Sequence, residues 1–290
     1  MTTLGVVHLP QNPPEKLREV ARAADAAGLD ELWLWEDCFL TGGVSTAAAI
    51  LAWTERLGVG IGLLPVPLRN VALTAMELAT LEAYFPGRTV PAVGHGVLDW
   101  MGQVGARAAS PMTLLREYTT ALQALLRGDT VTTDGRYVHL DGVALDWPPA
   151  APPRLLVGAT GPRTLQLAGE LGEGTVLSSN TTPDEVRAAR VEIDRGRATA
   201  GRGEPATIAV FVIAATGPDA AQRLDRELRR WNYDPARDIG IAGGADDVAT
   251  AVRRWTDAGA DTVVLQPTLD EPDVIGFVEF VAGQVAPLVR

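Results

Sequence analysis

Short apolar segments alternate with amphipathic segments along nearly the whole chain, and this alternation limits the possible folds more than any other feature. Eight apolar segments predict strands, and each is followed by a segment with the period of a helix. Eight consecutive strand–helix units are typical of an α/β fold of the (β/α)8 TIM barrel type, which we predict. A doubly wound sheet is the alternative, but the glycine-rich turn that such sheets usually carry after the first strand is missing here. The predicted strands are Leu4–His8, Glu31–Trp35, Gly58–Leu63, Thr89–Val93, Arg154–Val157, Thr175–Leu177, Thr207–Ile213 and Thr262–Leu265.

Two segments interrupt this alternation. Residues 129–153 include TVTTDGRYVHLDGV, whose polar and apolar residues alternate around Asp134-Gly135, and this predicts a β-hairpin inserted between the fourth helix and the fifth strand. The irregular segment Trp231–Gly244 is predicted to cover the barrel mouth. We expect residues 1–290 to form a single barrel domain. The predicted helices are Pro14–Ala27, Ser45–Trp53, Val71–Tyr84, Pro111–Leu126, Arg163–Leu171, Pro183–Ala200, Pro218–Arg230, Ala245–Ala258 and Glu271–Val285.

The charge and the composition argue against several classes of function. A formal net charge of −11 disfavours a nucleic-acid or anionic-membrane surface. The apolar runs are too short for a membrane span and no signal-peptide pattern opens the chain, so we expect neither feature. A single cysteine excludes an internal disulfide framework and is typical of the reducing cytoplasm, where we expect the protein. The expected partner is a small-molecule substrate.

The ends of the predicted strands are the positions where a barrel of this type collects its chemistry. They carry no cluster of carboxylates and histidines suited to a metal ion, so we predict no metal. Glycines and a few polar groups stand there instead, which favours an organic cofactor. The loop Gly158–Gly161 leads into a helix that begins at Pro162, and the free N–H groups at such a start suit a phosphate. For this motif alone, an ordinary tight loop is the alternative.

Five segments in register resemble the bacterial luciferase-like family: LWLWEDCF, LGVGIGLLPVPLRN, ATLEAYFPGRTVPAVGHGV, GRYVHL and GPRTLQLAGELGEGTVLSS. The match spans residues 4–265, and the chain is most similar to the branch that uses the deazaflavin coenzyme F420 instead of FMN. The resemblance implies a homodimeric oxidoreductase that transfers a hydride between F420 and a small organic substrate. An FMN-dependent monooxygenase and a non-catalytic protein that binds a flavin or deazaflavin remain the alternatives.

The resemblance also implies which residues hold the cofactor. Backbone N–H groups of Ala159, Thr160 and Gly161 would bind its phosphate, with Ser178 beside them. A non-proline cis peptide at the end of the third strand would support the back of the ring, next to glycines of the fourth strand. The residues expected around the ring are Ile61 and Gly62, which flank that cis bond, together with Gly94 and Gly96.

The expected proton-handling residues depart from the family pattern. Relatives carry Asp-His after the second strand, where this chain has Asp37-Cys38. Because cysteine is a poor general acid–base at neutral pH, we predict that His95, at the end of the fourth strand, moves the proton. The sugar-phosphate dehydrogenases of the family carry a glutamate where Val97 stands, so that activity is disfavoured. The predicted catalytic residues are His95, Asp37 and Cys38, and the predicted substrate contacts are His8 and Trp100.

Overall fold

The computed structural model describes residues 2–290, in which eight parallel strands close into a barrel. These strands are β1 (Thr3–His8), β2 (Glu31–Leu34), β3 (Gly58–Pro65), β4 (Thr89–Gly94), β7 (Leu156–Gly158), β8 (Gly174–Leu177), β9 (Thr207–Ala215) and β11 (Thr262–Pro267). They follow one another around the wall in this order, and β11 pairs with β1 to close it. The (β/α)8 TIM barrel predicted from the sequence is confirmed, with all eight strands at the predicted places.

The helices lie between these strands in the chain, and side chains at their starts fix several of their bounds. Asn70 begins the third helix by accepting a hydrogen bond from the N–H of Ala72, and Thr182 and Glu185 form a reciprocal capping box at the start of the seventh. The helices are α1 (Leu17–Ala27), α2 (Gly43–Trp53), α3 (Val71–Tyr84), α4 (Leu98–Gln103), α5 (Pro111–Leu126), α6 (Pro162–Leu171), α7 (Pro183–Thr199), α8 (Ala220–Arg230), α9 (Ala245–Asp257), α10 (Val274–Phe280) and α11 (Ala286–Val289).

Three elements differ from the sequence prediction. Helix α4 and the strand β10 (Gly240–Ala242) were not predicted, because neither is long enough to show a hydrophobic period. Strand β10 pairs with the last residues of β9. The C-terminal helix begins at Val274 instead of Glu271, because the Asp273 side chain accepts a hydrogen bond from the N–H of Gly276 and caps it there. A π-helical turn then separates α10 from α11.

The predicted hairpin insertion is present as strands β5 (Val131–Asp134) and β6 (His139–Val143), which pair antiparallel. A single carboxylate ties it to α5. Glu117 accepts hydrogen bonds from the backbone N–H groups of Arg136, Tyr137 and Val138 at 2.9, 2.8 and 3.1 Å. These bonds outweigh partial desolvation and hold the pKa of Glu117 below its usual range. The hairpin is therefore anchored on the outside of the barrel.

The apolar core has two layers, one between strands and helices and one inside the barrel. Trp33 is the largest side chain in the interior layer and is fully buried, with its indole N–H donating to Glu31 at 2.8 Å. Space for the indole comes from Gly5 and Gly60 on the neighbouring strands. A methyl group at Gly60 would lie 2.2 Å from the ring.

Among residues 2–290, no helix combines the length and the apolar character needed to cross a membrane.

The packing of Trp33 gives a stability prediction. Gly60→Ala should destabilise the fold by about 1–3 kcal/mol, because the added methyl group forces the ring out of its place. Gly102→Ala is the matched control, since its methyl group meets no neighbouring atom within 4 Å and alanine is favoured in helix α4. Urea unfolding of both variants measures the difference, and equal midpoints would contradict the account of the interior.

Candidate active site

A cavity of about 380 Å³ opens at the carboxyl ends of the barrel strands. Strands β2, β3, β4, β7, β8 and β9 or the loops after them all contribute to its walls, which is where a barrel of this type places its chemistry. Eight residues expected in the site from the sequence line this cavity. They are Asp37, Gly62, His95, Gly96, Trp100, Ala159, Thr160 and Ser178.

The floor of the cavity is formed by Leu63, whose side chain reaches over two glycines of the next strands. A methyl group on Gly94 or Gly158 would come within 2.5 or 2.2 Å of the Leu63 side chain, so both positions must lack a side chain for Leu63 to lie there. Gly94 thus shapes the site by leaving space, although it is not itself part of the cavity wall.

The non-proline cis peptide in β3 joins Gly62 to Leu63, so the prediction of Ile61–Gly62 was wrong by one residue. The pairing of β3 with β4 explains the offset, since it steps from Ile61 opposite Pro91 to Leu64 opposite Val93 and leaves one extra residue in β3. Ile61 is fully buried in the layer between strands and helices and does not reach the cavity. A second cis peptide joins Cys38 to Phe39.

Aromatic side chains wall the cavity. Trp35 and Phe211 meet edge to face with ring centroids 5.7 Å apart. Trp100 comes from α4, and Trp231 comes from the segment predicted to cover the mouth. The indole N–H of Trp231 donates to Glu227 at 2.8 Å, and Glu227 also accepts from the N–H of Leu269 at 3.2 Å. This carboxylate therefore fixes Trp231 to the loop after the last barrel strand.

The adjacent carboxylates Glu36 and Asp37 lie in the loop after β2 and both line the cavity, but they have different partners. Glu36 accepts hydrogen bonds from the N–H of Gly43 at 2.6 Å and from Arg69 at 2.7 Å. Arg69 also lies 3.7 Å from Glu77, so its charge is balanced within this cluster. Asp37 has no such cation beside it, and burial raises the pKa of its carboxyl.

His95 and Cys38 were both predicted catalytic, and the structure separates them. His95 lines the cavity, its Nδ1 is buried without a hydrogen-bond partner among residues 2–290, and burial lowers the pKa of its imidazole. A neutral imidazole in this place can accept a proton. Cys38 is half-buried but does not line the cavity, and burial with the nearby Glu36 and Asp37 raises the pKa of its thiol. A protonated thiol outside the cavity is a poor nucleophile or base.

The loop before α6 presents a helix start to the cavity, as the sequence predicted. Gly161 is the N-cap residue, no side chain caps the helix, and Thr160, Thr164, Ser178 and Ser179 line the cavity beside it. The prediction for the Ala159 N–H was wrong, because that group already donates to the carbonyl of Val176 at 3.2 Å in the barrel sheet. Donors at this helix start can hold an anionic group.

The comparison with known families agrees with this geometry. A sequence model of the family described as luciferase-like monooxygenase matches residues 2–285. The chain belongs to the luciferase-like monooxygenase family.

Individual relatives place this luciferase-like chain within the family. It is 29% identical to the 5,10-methylenetetrahydromethanopterin reductase of Archaeoglobus fulgidus over 333 aligned positions, which cover 99% of each chain. It is 28% identical to the reductase of the same name from Methanolobus tindarius, with 83% of this chain and 78% of the relative aligned. The structure of an F420-dependent secondary alcohol dehydrogenase in complex with an F420-acetone adduct superposes with a TM-score of 0.88 at 21% identity, covering 100% and 99% of the two chains.

Five predicted residues of this luciferase-like chain do not line the cavity, and several lining residues were not predicted. Besides Cys38, Ile61 and Gly94, they are His8 and Gly161. His8 lines a separate cavity of about 200 Å³ with residues of the β1 loop, α1 and α2, because its neighbours Val7 and Leu9 take the inward positions of the strand. Gly161 lies at the helix start beside the main cavity but not in its wall. The lining residues that were missed include Trp35, Phe211, Thr164 and Ser179. The inward phase of β2 and β9 is the signal that predicts Trp35 and Phe211. No group of three or more possible metal ligands occurs within residues 2–290.

The position of His8 gives a pH-dependent prediction. Burial lowers the pKa of His8 from 6.5 to about 4, and its side chain is only 5% exposed. The unfolded chain therefore binds the proton more tightly, so the stability that neutral His8 contributes is present above pH 6.5 and is lost as the pH falls toward 4. Between pH 7.5 and pH 5.0 this residue should account for a loss of about 2 kcal/mol.

Urea unfolding at both pH values measures this loss in the wild-type protein and in His8→Gln. The variant should lose about 2 kcal/mol less than the wild type on acidification. His139→Gln is the matched control, because His139 is exposed in the hairpin, and it should retain the wild-type response. Equal responses of His8→Gln and the wild type would contradict the burial effect.

Proposed function

We propose that the protein is an F420-dependent oxidoreductase that transfers a hydride between F420 and a small organic substrate. The observation that carries this proposal is the combination of an anion-binding helix start and an apolar, glycine-backed floor in one cavity, in a chain of the luciferase-like family. The F420-dependent alcohol dehydrogenase with the same fold supports F420 over FMN.

The residues of the cavity fit this cofactor. The helix start at Gly161 and the hydroxyl groups of Ser178 and Ser179 would hold its phosphate, while Leu63 over Gly94 would support its ring. F420 supplies or accepts the hydride when bound. No lysine or arginine of residues 2–290 lines the cavity, so backbone dipoles must hold the phosphate against the net charge of −11.

The proton that accompanies the hydride needs a separate carrier. His95 and Asp37 line the same cavity, and burial favours the neutral form of each, a proton acceptor at the imidazole and a proton donor at the carboxyl. We assign the proton transfer to this pair and no chemical role to Cys38. All three residues were predicted to be catalytic from their positions at the strand ends.

Two further expectations from the sequence remain proposals. One is that residues 1–290 act as a single domain in the cell interior. The other is a homodimer, for which Leu73, Met76 and Tyr84 on α3 provide exposed apolar contacts. Light scattering would contradict the homodimer if it found only a particle of 30.7 kDa.

Cofactor choice is tested by fluorescence titration with F420, with FMN as the competitor. We expect F420 to bind in the micromolar range or tighter and FMN to displace it poorly. Gly161→Asp should weaken F420 binding at least tenfold, because it places a carboxylate where the phosphate would be held, and a Cβ atom at this position meets no neighbouring atom within 4 Å. Gly161→Asn is the matched control with the same capping ability and no charge.

Each outcome of this titration leads to a different conclusion. Preference for FMN would indicate the FMN-dependent monooxygenase. Equal F420 affinity in Gly161→Asp and Gly161→Asn would place the phosphate elsewhere. No binding of either cofactor would contradict the proposed function.

The proton pair is tested by the oxidation of reduced F420 with an organic acceptor. His95→Gln should lower kcat by a factor of about 10²–10⁴, as the loss of a general acid–base does, while the affinity for F420 stays within twofold. Asp37→Asn should lower kcat as well and flatten the pH profile of the reaction. Cys38→Ser should retain the wild-type rate. A full rate in His95→Gln would remove that residue from the reaction, and a rate lost only in Cys38→Ser would overturn the assignment.

A further inference from the structure

The mouth of the cavity carries exposed apolar side chains on two loops. Phe39 and Leu40, in the loop after β2, are 65% and 50% exposed, and Val97 and Leu98, after β4, are 47% and 44% exposed. We call these four residues the apolar rim. Exposed apolar side chains gathered on loops beside a cavity are a common feature of binding surfaces. The rim directly follows Asp37 and His95 in the chain, and Val97 itself lines the cavity.

The cavity behind the rim is also apolar. Its walls include the rings of Trp35, Trp100, Phe211 and Trp231, and burying a ligand's apolar surface against them is favourable. Trp231 is held in place by Glu227, so this part of the wall is fixed by the chain's own contacts. A preformed apolar wall favours ligands that do not require charged partners.

Charged ligands would find few oppositely charged side chains in this cavity. No lysine or arginine of the part of the chain that the structure describes lines the cavity, and Arg69, which pairs with the lining residue Glu36, is balanced by Glu36 and Glu77. Burying an unpaired carboxylate away from the helix start, where the cofactor phosphate would be held, is costly. A cation would find only Asp37 free, and it would displace the proton that the proposed reaction needs there.

These observations point to the substrate class. We propose that the substrate is an uncharged carbonyl compound whose apolar body lies against the aromatic wall and the apolar rim. This inference rests on the proposed function. In the reaction a C–H bond forms at the carbonyl carbon as the hydride arrives, the electron pair of the C=O double bond moves to oxygen, and oxygen takes a proton from the His95–Asp37 pair. The carbonyl compound, reduced by two electrons, becomes an alcohol. Bound reduced F420 would be the two-electron donor, and the proton released on its oxidation would restore the pair.

The inference is tested by isothermal titration calorimetry with four probes, on the protein alone and on the protein saturated with F420. Three probes share one skeleton: 4-phenylcyclohexanone, 4-phenylcyclohexanecarboxylate and 4-phenylcyclohexylamine, which is an ammonium ion at pH 7. The fourth, cyclohexanone, lacks the phenyl group. We expect 4-phenylcyclohexanone to bind at least tenfold more tightly than each of the other three.

A charge placed in the rim should reverse this order. Val97→Arg should weaken binding of the ketone at least fivefold and strengthen binding of the carboxylate, whereas Val191→Arg should change neither affinity. Val191 is a matched control because it is also an exposed valine, 58% accessible, in the middle of α7. Phe39→Ser is a second rim variant and should weaken binding of the three phenyl-bearing probes but not of cyclohexanone.

Several results would overturn the inference. These are no binding of 4-phenylcyclohexanone up to its solubility limit, a carboxylate or ammonium probe that binds as tightly as the ketone, or an unchanged ketone affinity in both Val97→Arg and Phe39→Ser. The last result would indicate that the apolar rim binds a protein partner instead of the substrate. Failure of the proposed function is distinguishable, because it appears as absent F420 binding while the probe affinities of the protein alone can still follow the expected order.

Discussion

The limited width of an eight-stranded barrel is the constraint on which this structure depends. Trp33 fills much of the interior, and it fits only because the neighbouring strands carry Gly5 and Gly60. Phe211 meets Trp33 edge to face at 5.6 Å and also meets Trp35, so the interior is filled up to the level at which the cavity begins. The depth of the cavity is therefore set by core packing, and a ligand binds on this packed interior instead of entering it.

Glycines also make room for a larger side chain at the cavity floor. Leu63 occupies the place that side chains at positions 94 and 158 would otherwise fill. Three neighbouring strands are thus joined at their carboxyl ends by one leucine, and a flat, apolar surface results. A planar ring matches such a surface better than a flexible polar ligand does, because the ring gains contact without leaving polar groups unpaired.

The periodicity of the strands was enough to predict most of the fold and part of the site. The eight strands and the hairpin were predictable because long alternating or apolar segments leave a clear pattern. The alternation of side chains along β1 also predicts that His8 points away from the barrel interior, because Val7 and Leu9 take the inward positions. This alternation could have excluded His8 from the predicted site. The offset of the cis peptide could not be predicted, because it depends on an extra residue in the pairing of β3 with β4. The sequence likewise could not show that the Ala159 N–H is unavailable to a phosphate, because this depends on its hydrogen bond to the carbonyl of Val176.

Electrostatics links the two halves of the proposed site. Glu36 caps α2 and pairs with Arg69, which removes a cation that would otherwise stand near the mouth. Asp37 is left without a cation, and burial then favours its protonated form. Glu36 and Asp37, two successive residues after β2, therefore have different roles. Glu36 orders the scaffold through its hydrogen bonds with Gly43 and Arg69, and Asp37 stays available for proton transfer. Because no thiolate is stabilised at position 38 by these neighbours, a cysteine there does not compete with His95 for the proton. The proposed chemistry thus follows from the pairing of Glu36 as much as from the residues that would touch the substrate.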